Sequence, residues 1–116
     1  MIAPDLSTVT IFVRPGVTDM RKQANGLSLM VEEQMELDPG SGNLYLFCNK
    51  ERKLLKCLWW DRNGFWLAQK RLESGKFPWP LTMEQARQIR TEELVMLLSG
   101  IDFWNAHQVI SYQQIN

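Results

Sequence analysis

The sequence predicts an α+β fold: an antiparallel four-stranded sheet in β-α-β-β-β-α order, with the helices packed on one face. Three observations lead there. A β-branched and aromatic run stands at Thr8 to Val13, two longer apolar runs flank an Asp-Arg-Asn-Gly turn at 61–64, and leucine and methionine recur at helical spacing on either side of them. With 116 residues and 45% hydrophobic content, the chain suits a single globular domain. We place that domain at residues 1–103, followed by a C-terminal tail at 104–116.

The first strand, T-V-T-I-F-V, is closed by Pro15-Gly16. Thr18 can cap the turn that follows, with Asp19 favourably placed at its start. A helix is expected from about Gly26 to Glu36, with Leu27, Met30, Val31 and Met35 on one stripe and Glu32, Glu33 and Glu36 outside it. Asp38-Pro39-Gly40-Ser41-Gly42 ends it. A short strand follows at Leu44 to Cys48, and the polar turn Asn49 to Arg52 leads into a hairpin. Gly75 and Phe77-Pro78-Trp79-Pro80 end the sheet, because proline cannot donate to a ladder. Thr82 with Gln85 has the form of a capping box and starts a short helix. Thr91 caps another, carrying Leu94, Leu97, Leu98 and Ile101 and stopping at Gly100. The segment from Asp102 onward, with the single histidine, fits either an edge strand through Val109 and Ile110 or a loose end.

The hairpin, Lys53 to Pro80, holds four of the five tryptophans. A type I turn over Asp61 to Asn63, with the Asp61 carboxylate accepting from backbone amides and Gly64 left-handed, gives a three-residue loop with a bulge. Asp61 then faces Phe65, and the ladder continues through Trp60 with Trp66, Leu58 with Ala68 and Lys56 with Lys70. Leu55, Cys57, Trp59, Phe65 and Leu67 would share an apolar face. Lys56, Leu58, Trp60, Trp66, Ala68 and Lys70 would share an aromatic and basic one. Like charges facing each other on a sheet are unfavourable, and an anion across the strands would relieve them. Alternatively the two lysines splay into water. A slip of one residue would exchange the faces.

Formal charge is zero overall but unevenly spread. Residues 1–49 carry three basic and six acidic side chains, residues 50–80 eight and three, and residues 81–116 two and four. A basic middle between acidic flanks suggests an anionic partner. No apolar run nears the roughly 20 residues that span a bilayer, and no basic-then-apolar leader opens the chain, so a cytoplasmic protein without membrane partners is expected. Cys48 and Cys57 read as reduced core thiols.

Several ordered motifs form a pattern: Val17-Thr18-Asp19-Met20-Arg21-Lys22, Gly26-Leu27, Asp38-Pro39 with Ser41-Gly42, Leu58-Trp59-Trp60-Asp61, Gly64-Phe65-Trp66-Leu67, Lys70-Arg71-Leu72-Glu73, Gly75 with Phe77, Trp79-Pro80, and Leu97-Leu98-Ser99-Gly100-Ile101. In this order they resemble the small accessory protein of the insertion-sequence-66 transposon family, the second-reading-frame product of the TnpB type, over roughly residues 8–103. The resemblance implies a bacterial mobile-element protein working beside the element's transposase, with no established active site.

The residues themselves point away from catalysis. Asp19, Asp61 and Glu73 are the acids to weigh against a metal-dependent nuclease, and each has a local role as helix-start, turn or loop residue. His107 stands apart from both cysteines, and P-G-S-G lacks the lysine of a phosphate loop. We therefore expect no catalytic residues, no metal, no cofactor and no small-molecule substrate. Arg21 and Lys22, with Asp19, form either a phosphate or partner contact or an intramolecular motif in which Arg21 holds Asp61 or Glu73. Tryptophan as a stacking surface beside cations is the device of single-strand binders, although bulky rings also serve as core. The expected function is non-enzymatic: an accessory protein for transposition that contacts element-end DNA through Lys53, Lys56, Trp60, Arg62, Trp66, Lys70, Arg71 and Lys76. The alternative is an adaptor that binds the transposase.

Overall fold

A computed structural model describes residues 4–82 and 87–104. Its elements are β1 (Ile11–Val13), α1 (Ala24–Glu33), β2 (Leu44–Cys48), β3 (Leu54–Asp61), β4 (Gly64–Arg71), β5 (Gln88–Ile89) and α2 (Thr91–Leu98). They form one five-stranded sheet in the order β4-β3-β2-β1-β5. The expected four-stranded antiparallel sheet is corrected in two respects.

First, β1 and β2 run parallel, pairing Ile11 with Leu44, Phe12 with Tyr45 and Val13 with Leu46. Parallel neighbours need a crossover, and α1 with its flanking loops supplies it between residues 14 and 43. Second, Gln88–Ile89 adds a fifth strand antiparallel to β1, with Ile89 opposite Ile11. The short helix expected from Thr82 and Gln85 falls largely on residues outside those described, as do Val109 and Ile110.

The helices also take opposite faces instead of one. Leu27, Met30 and Val31 of α1, with Met35 beyond it, pack on Tyr45, Phe47 and Leu58. Leu94 and Leu97 of α2 pack on Ile11, Val13, Leu44, Leu46, Cys48 and Leu55, joined by Phe77, Trp79 and Phe103. Alternation along β2 feeds both cores, so all five of its residues are buried, as a central strand between two layers requires. Each fully buried Leu or Phe contributes about 1.5–3 kcal/mol. α2 is capped by Arg90, one residue before the expected cap Thr91: the Glu93 carboxylate accepts the Arg90 backbone N–H at 2.9 Å. Its stop is the expected one, with Gly100 at φ +78°. Both thiols are free, and burial pushes Cys48 and Cys57 up to about 12.

The hairpin closes more tightly than expected. Asp61 pairs with Gly64, Trp60 with Phe65, Trp59 with Trp66, Leu58 with Leu67, Lys56 with Gln69 and Leu55 with Lys70. Only Arg62 and Asn63 lie in the loop. Arg62, not Gly64, takes the left-handed conformation, at φ +53°. Two-residue loops with positive φ match the twist of the strands they join, whereas a type I turn needs the bulge to do so. The β4 register is therefore shifted by one residue against β3, and its side chains change faces.

This register makes a testable difference. A Cβ on Gly64 meets nothing within 4 Å and its backbone is not left-handed, whereas Gly75 sits at φ +76°. Chemical unfolding should find Gly64→Ala neutral or stabilising by up to about 1 kcal/mol, and Gly75→Ala destabilising by about 1 kcal/mol. A cost above about 1 kcal/mol for Gly64→Ala would restore the three-residue loop.

Candidate nucleic-acid interface

The register separates the side chains that were expected together. Trp59, Trp66, Ala68 and Lys70 lie on the α2 side of the sheet, and Lys56, Leu58, Trp60, Phe65 and Leu67 on the α1 side. No single face joins Trp60, Trp66, Lys56 and Lys70.

Lys56 is 3% exposed. Its Nζ donates to the backbone carbonyls of Met20 at 2.9 Å and Lys22 at 3.0 Å. A buried amine costs several kcal/mol unless satisfied, and here its partners are the loop that leads into α1. Thr18 N–H donates to Cys48 O at 2.9 Å, so the Val17–Lys22 loop is pinned to both β2 and β3. Arg21 does not reach Asp61 or Glu73. It turns back on Asp19, donating to both carboxylate oxygens at 2.7–3.1 Å while its own backbone N–H donates at 3.0 Å. Those hydrogen bonds hold the Asp19 carboxyl at about 2. Residues Val17–Arg21 and Asn49–Glu51 line an open pocket of about 430 Å³, and Thr18 Oγ1 is buried beside it without a hydrogen-bond partner among the described residues.

The remaining cations divide between the two ends of the hairpin. At its base, Arg71 pairs with Leu54, Leu72 N–H donates to Lys53 O at 2.8 Å, and Phe77 N–H donates to Arg52 O at 2.7 Å. These contacts gather Arg52, Lys53, Lys70, Arg71 and Lys76, the last three exposed. Lys53 Nζ donates to Gly75 O at 3.2 Å, and Lys70 Nζ to Leu98 O at 3.0 Å, where the C-terminus of α2 favours a cation. Carbonyl partners leave these two charges without an ion pair among the described residues. Glu51 and Glu73 are the acids nearest in sequence. Sequence reading missed Arg52, which sits at φ +60° in the turn that brings the base together.

Arg62 stands at the other end, 93% exposed at its side chain, about 25 Å away for eight residues at 3.3 Å each. Beside it Trp66 is 41% exposed and stacks on buried Trp59, with ring centroids 6.3 Å apart. Its indole N–H donates to Asp61 Oδ2 at 3.1 Å, so the Asp61 carboxylate serves the indole and not the turn amides. Half-buried Trp60 meets Phe65 edge-on at 5.0 Å on the opposite face. Trp79 is core: its N–H donates to Arg14 O and Gly16 O at 3.0 and 3.1 Å.

Among the described residues no three His, Cys, Asp or Glu side chains come together to hold a metal, and no helix is long and apolar enough to cross a membrane. A profile described as "IS66 Orf2 like protein" matches residues 9–108. The chain belongs to the IS66 Orf2-like family. Two relatives from Sinorhizobium fredii (strain NBRC 101917 / NGR234) agree in length: "Uncharacterized protein y4hO" is 40% identical over 100 residues, 86% of this chain and 87% of the relative. "Uncharacterized protein y4jC" is 35% identical over 103 residues, 89% and 87%. No solved structure matches at significance. The IS66 Orf2-like role is accessory to transposition of an insertion sequence. In this IS66 Orf2-like chain the pattern's Val17–Lys22 motif is the loop that Lys56 holds, and its Asp38–Gly42 motif is the loop that Tyr45 Oη anchors by donating to Asp38 O at 2.7 Å.

Lys56 can be tested as a structural group. Lys56→Met, which keeps the stem's bulk, should lose about 2–4 kcal/mol in urea unfolding, since two hydrogen bonds from a charged donor go with it. A loss below about 1 kcal/mol would show that the loop does not depend on this amine.

Proposed function

We propose that this protein is a non-enzymatic accessory factor that contacts the DNA of its element through the base of the β3–β4 hairpin. The observation that carries the reading is the gathering of Arg52, Lys53, Lys70, Arg71 and Lys76 at one end of a chain whose formal charge is zero. Cations brought together by backbone pairing, two of them, Lys53 and Lys70, with carbonyls as their partners, make a site for a polyanion. Phosphate contacts of this kind position a protein without reading sequence. Arg62 and Trp66 add a second contact at the hairpin tip, and Trp60 lies on the far side of the same tip. Lys56 supports the fold in this reading.

A second reading has its own observation. Val17 and Leu81 are 51% and 61% exposed, and the turn at Gly16, whose N–H donates to Pro80 O, brings their segments together beside the 430 Å³ pocket. An apolar patch with a pocket fits a protein partner, here the transposase, with Asp19, Arg21 and Lys22 at its rim.

Mobility shift with element-end duplex across a salt series separates the two. Contact through the hairpin base predicts steep weakening with salt. Arg71→Glu with Lys76→Glu should cost at least about tenfold and flatten the slope of log K against log salt by about 2. Lys56→Met, where folded, should keep the wild-type slope. Absent or salt-insensitive binding, together with co-purification of the transposase that Val17→Asp abolishes, would leave the adaptor.

A further inference from the structure

The hairpin tip carries a feature that phosphate contact does not use. Trp59 to Asp61 and Gly64 to Trp66 extend beyond the last β2 partner, since Tyr45 pairs with Leu58. One face of the Trp66 ring is stacked on Trp59, and the residue is 41% exposed. The indole N–H holds Asp61 through Oδ2 at 3.1 Å, which fixes the carboxylate beside the ring. Among the described residues its Oδ1 has only Arg62 Nε at 3.8 Å, beyond hydrogen-bond length, on a side chain 93% exposed. Asp61, Asn63, Gly64, Phe65 and Trp66 line an open pocket of about 200 Å³, and Gly64 contributes no side chain to fill it.

We infer that this tip takes one unpaired nucleobase, stacked on the outer face of Trp66, with guanine preferred because Asp61 reads its edge. This rests on the nucleic-acid reading above and names the form of nucleic acid that the tip would engage. A partly exposed indole beside an open pocket accepts any base by stacking. A carboxylate only accepts hydrogen bonds, so it discriminates among bases by their donors. Guanine presents two adjacent donors, N1–H and the N2 amine, on its Watson–Crick edge. Adenine and cytosine present an amine beside a ring acceptor that the carboxylate would repel, and thymine one N–H between two carbonyls. Arg62, free to swing, can meet the phosphate of the same nucleotide and offset the acid's charge. Single-stranded loops and ends are where edges of this kind are read.

The test uses fluorescence anisotropy of the whole chain with labelled ten-nucleotide dT strands that carry one central dG, dA or deoxyinosine, beside element-end duplex as a control. The dG strand should bind about tenfold tighter than the dA strand, in line with a bidentate contact. Deoxyinosine, which keeps N1–H and lacks the amine, should fall between them. Trp66→Ala should weaken every single strand by about five- to hundredfold, while duplex binding through the hairpin base changes less. Asp61→Asn, which keeps a partner for the indole, should abolish the preference for dG and keep affinity for all-dT strands within about twofold. Equal binding of dG and dA strands, or a preference that survives Asp61→Asn, overturns the inference even where duplex is bound. Failure of the wild type to bind duplex and single strands alike overturns the nucleic-acid reading itself.

Discussion

A two-residue loop decides what this hairpin can do. With Arg62 and Asn63 alone between the strands, each β4 side chain lies across from a β3 partner one position away from the one a bulged loop would give. A one-residue slip reverses every side chain on a strand. Trp66 consequently stacks on Trp59, and such a pair contributes about 0.5–1.5 kcal/mol beyond its buried area. Trp60 is left on the other face with Phe65. The two ends of the hairpin become chemically different: cations at the base, an acid-tethered aromatic ring at the tip. The exposed Gln69, Lys70 and Arg71 also lie along the sheet's open edge, where charge discourages pairing with other chains.

The second dependency is Lys56. It occupies a core position on the α1 side between Phe47 and Gln69, yet its nitrogen emerges at the Met20 and Lys22 carbonyls. An aliphatic stem packed among apolar neighbours and a tip tied to backbone is how a lysine becomes structural. Through it the sheet fixes the Val17–Lys22 loop, and Asp19 and Arg21 then fasten that loop to itself. The motif's acid and base satisfy each other, which explains their proximity without a ligand.

Much of the fold was legible because pattern and period agreed. Leu44–Cys48 is the expected strand to the residue, α1 carries the expected stripe, and Gly100 stops α2. What failed were long-range features. The parallel pairing of β1 with β2 depends on where α1 packs, and nothing local in T-V-T-I-F-V encodes it. Gln88–Ile89 is too short to show a period and is a strand only because β1 lies beside it. Both helices are amphipathic in the same way, so sequence could not assign them to opposite faces. The hairpin itself was visible, but its register was not, since Asp-Arg-Asn-Gly suits a bulged loop through Gly64 as well as a tight one through Arg62. The candidate site inherited that ambiguity: its residues could be named from composition, but their grouping could not. Lys56 among them was read as a surface charge because a lysine on an alternating strand carries no sign of what its tip will meet.

The placement of every hairpin side chain stands on the pairing of β3 with β4, and nuclear Overhauser contacts across the hairpin measure it directly. Cross-strand contacts should link Trp60 with Phe65, Trp59 with Trp66 and Leu58 with Leu67, with Gly64 opposite Asp61. Contacts linking Trp60 with Trp66 and Lys56 with Lys70 would contradict it, and would return the indoles and amines to one face.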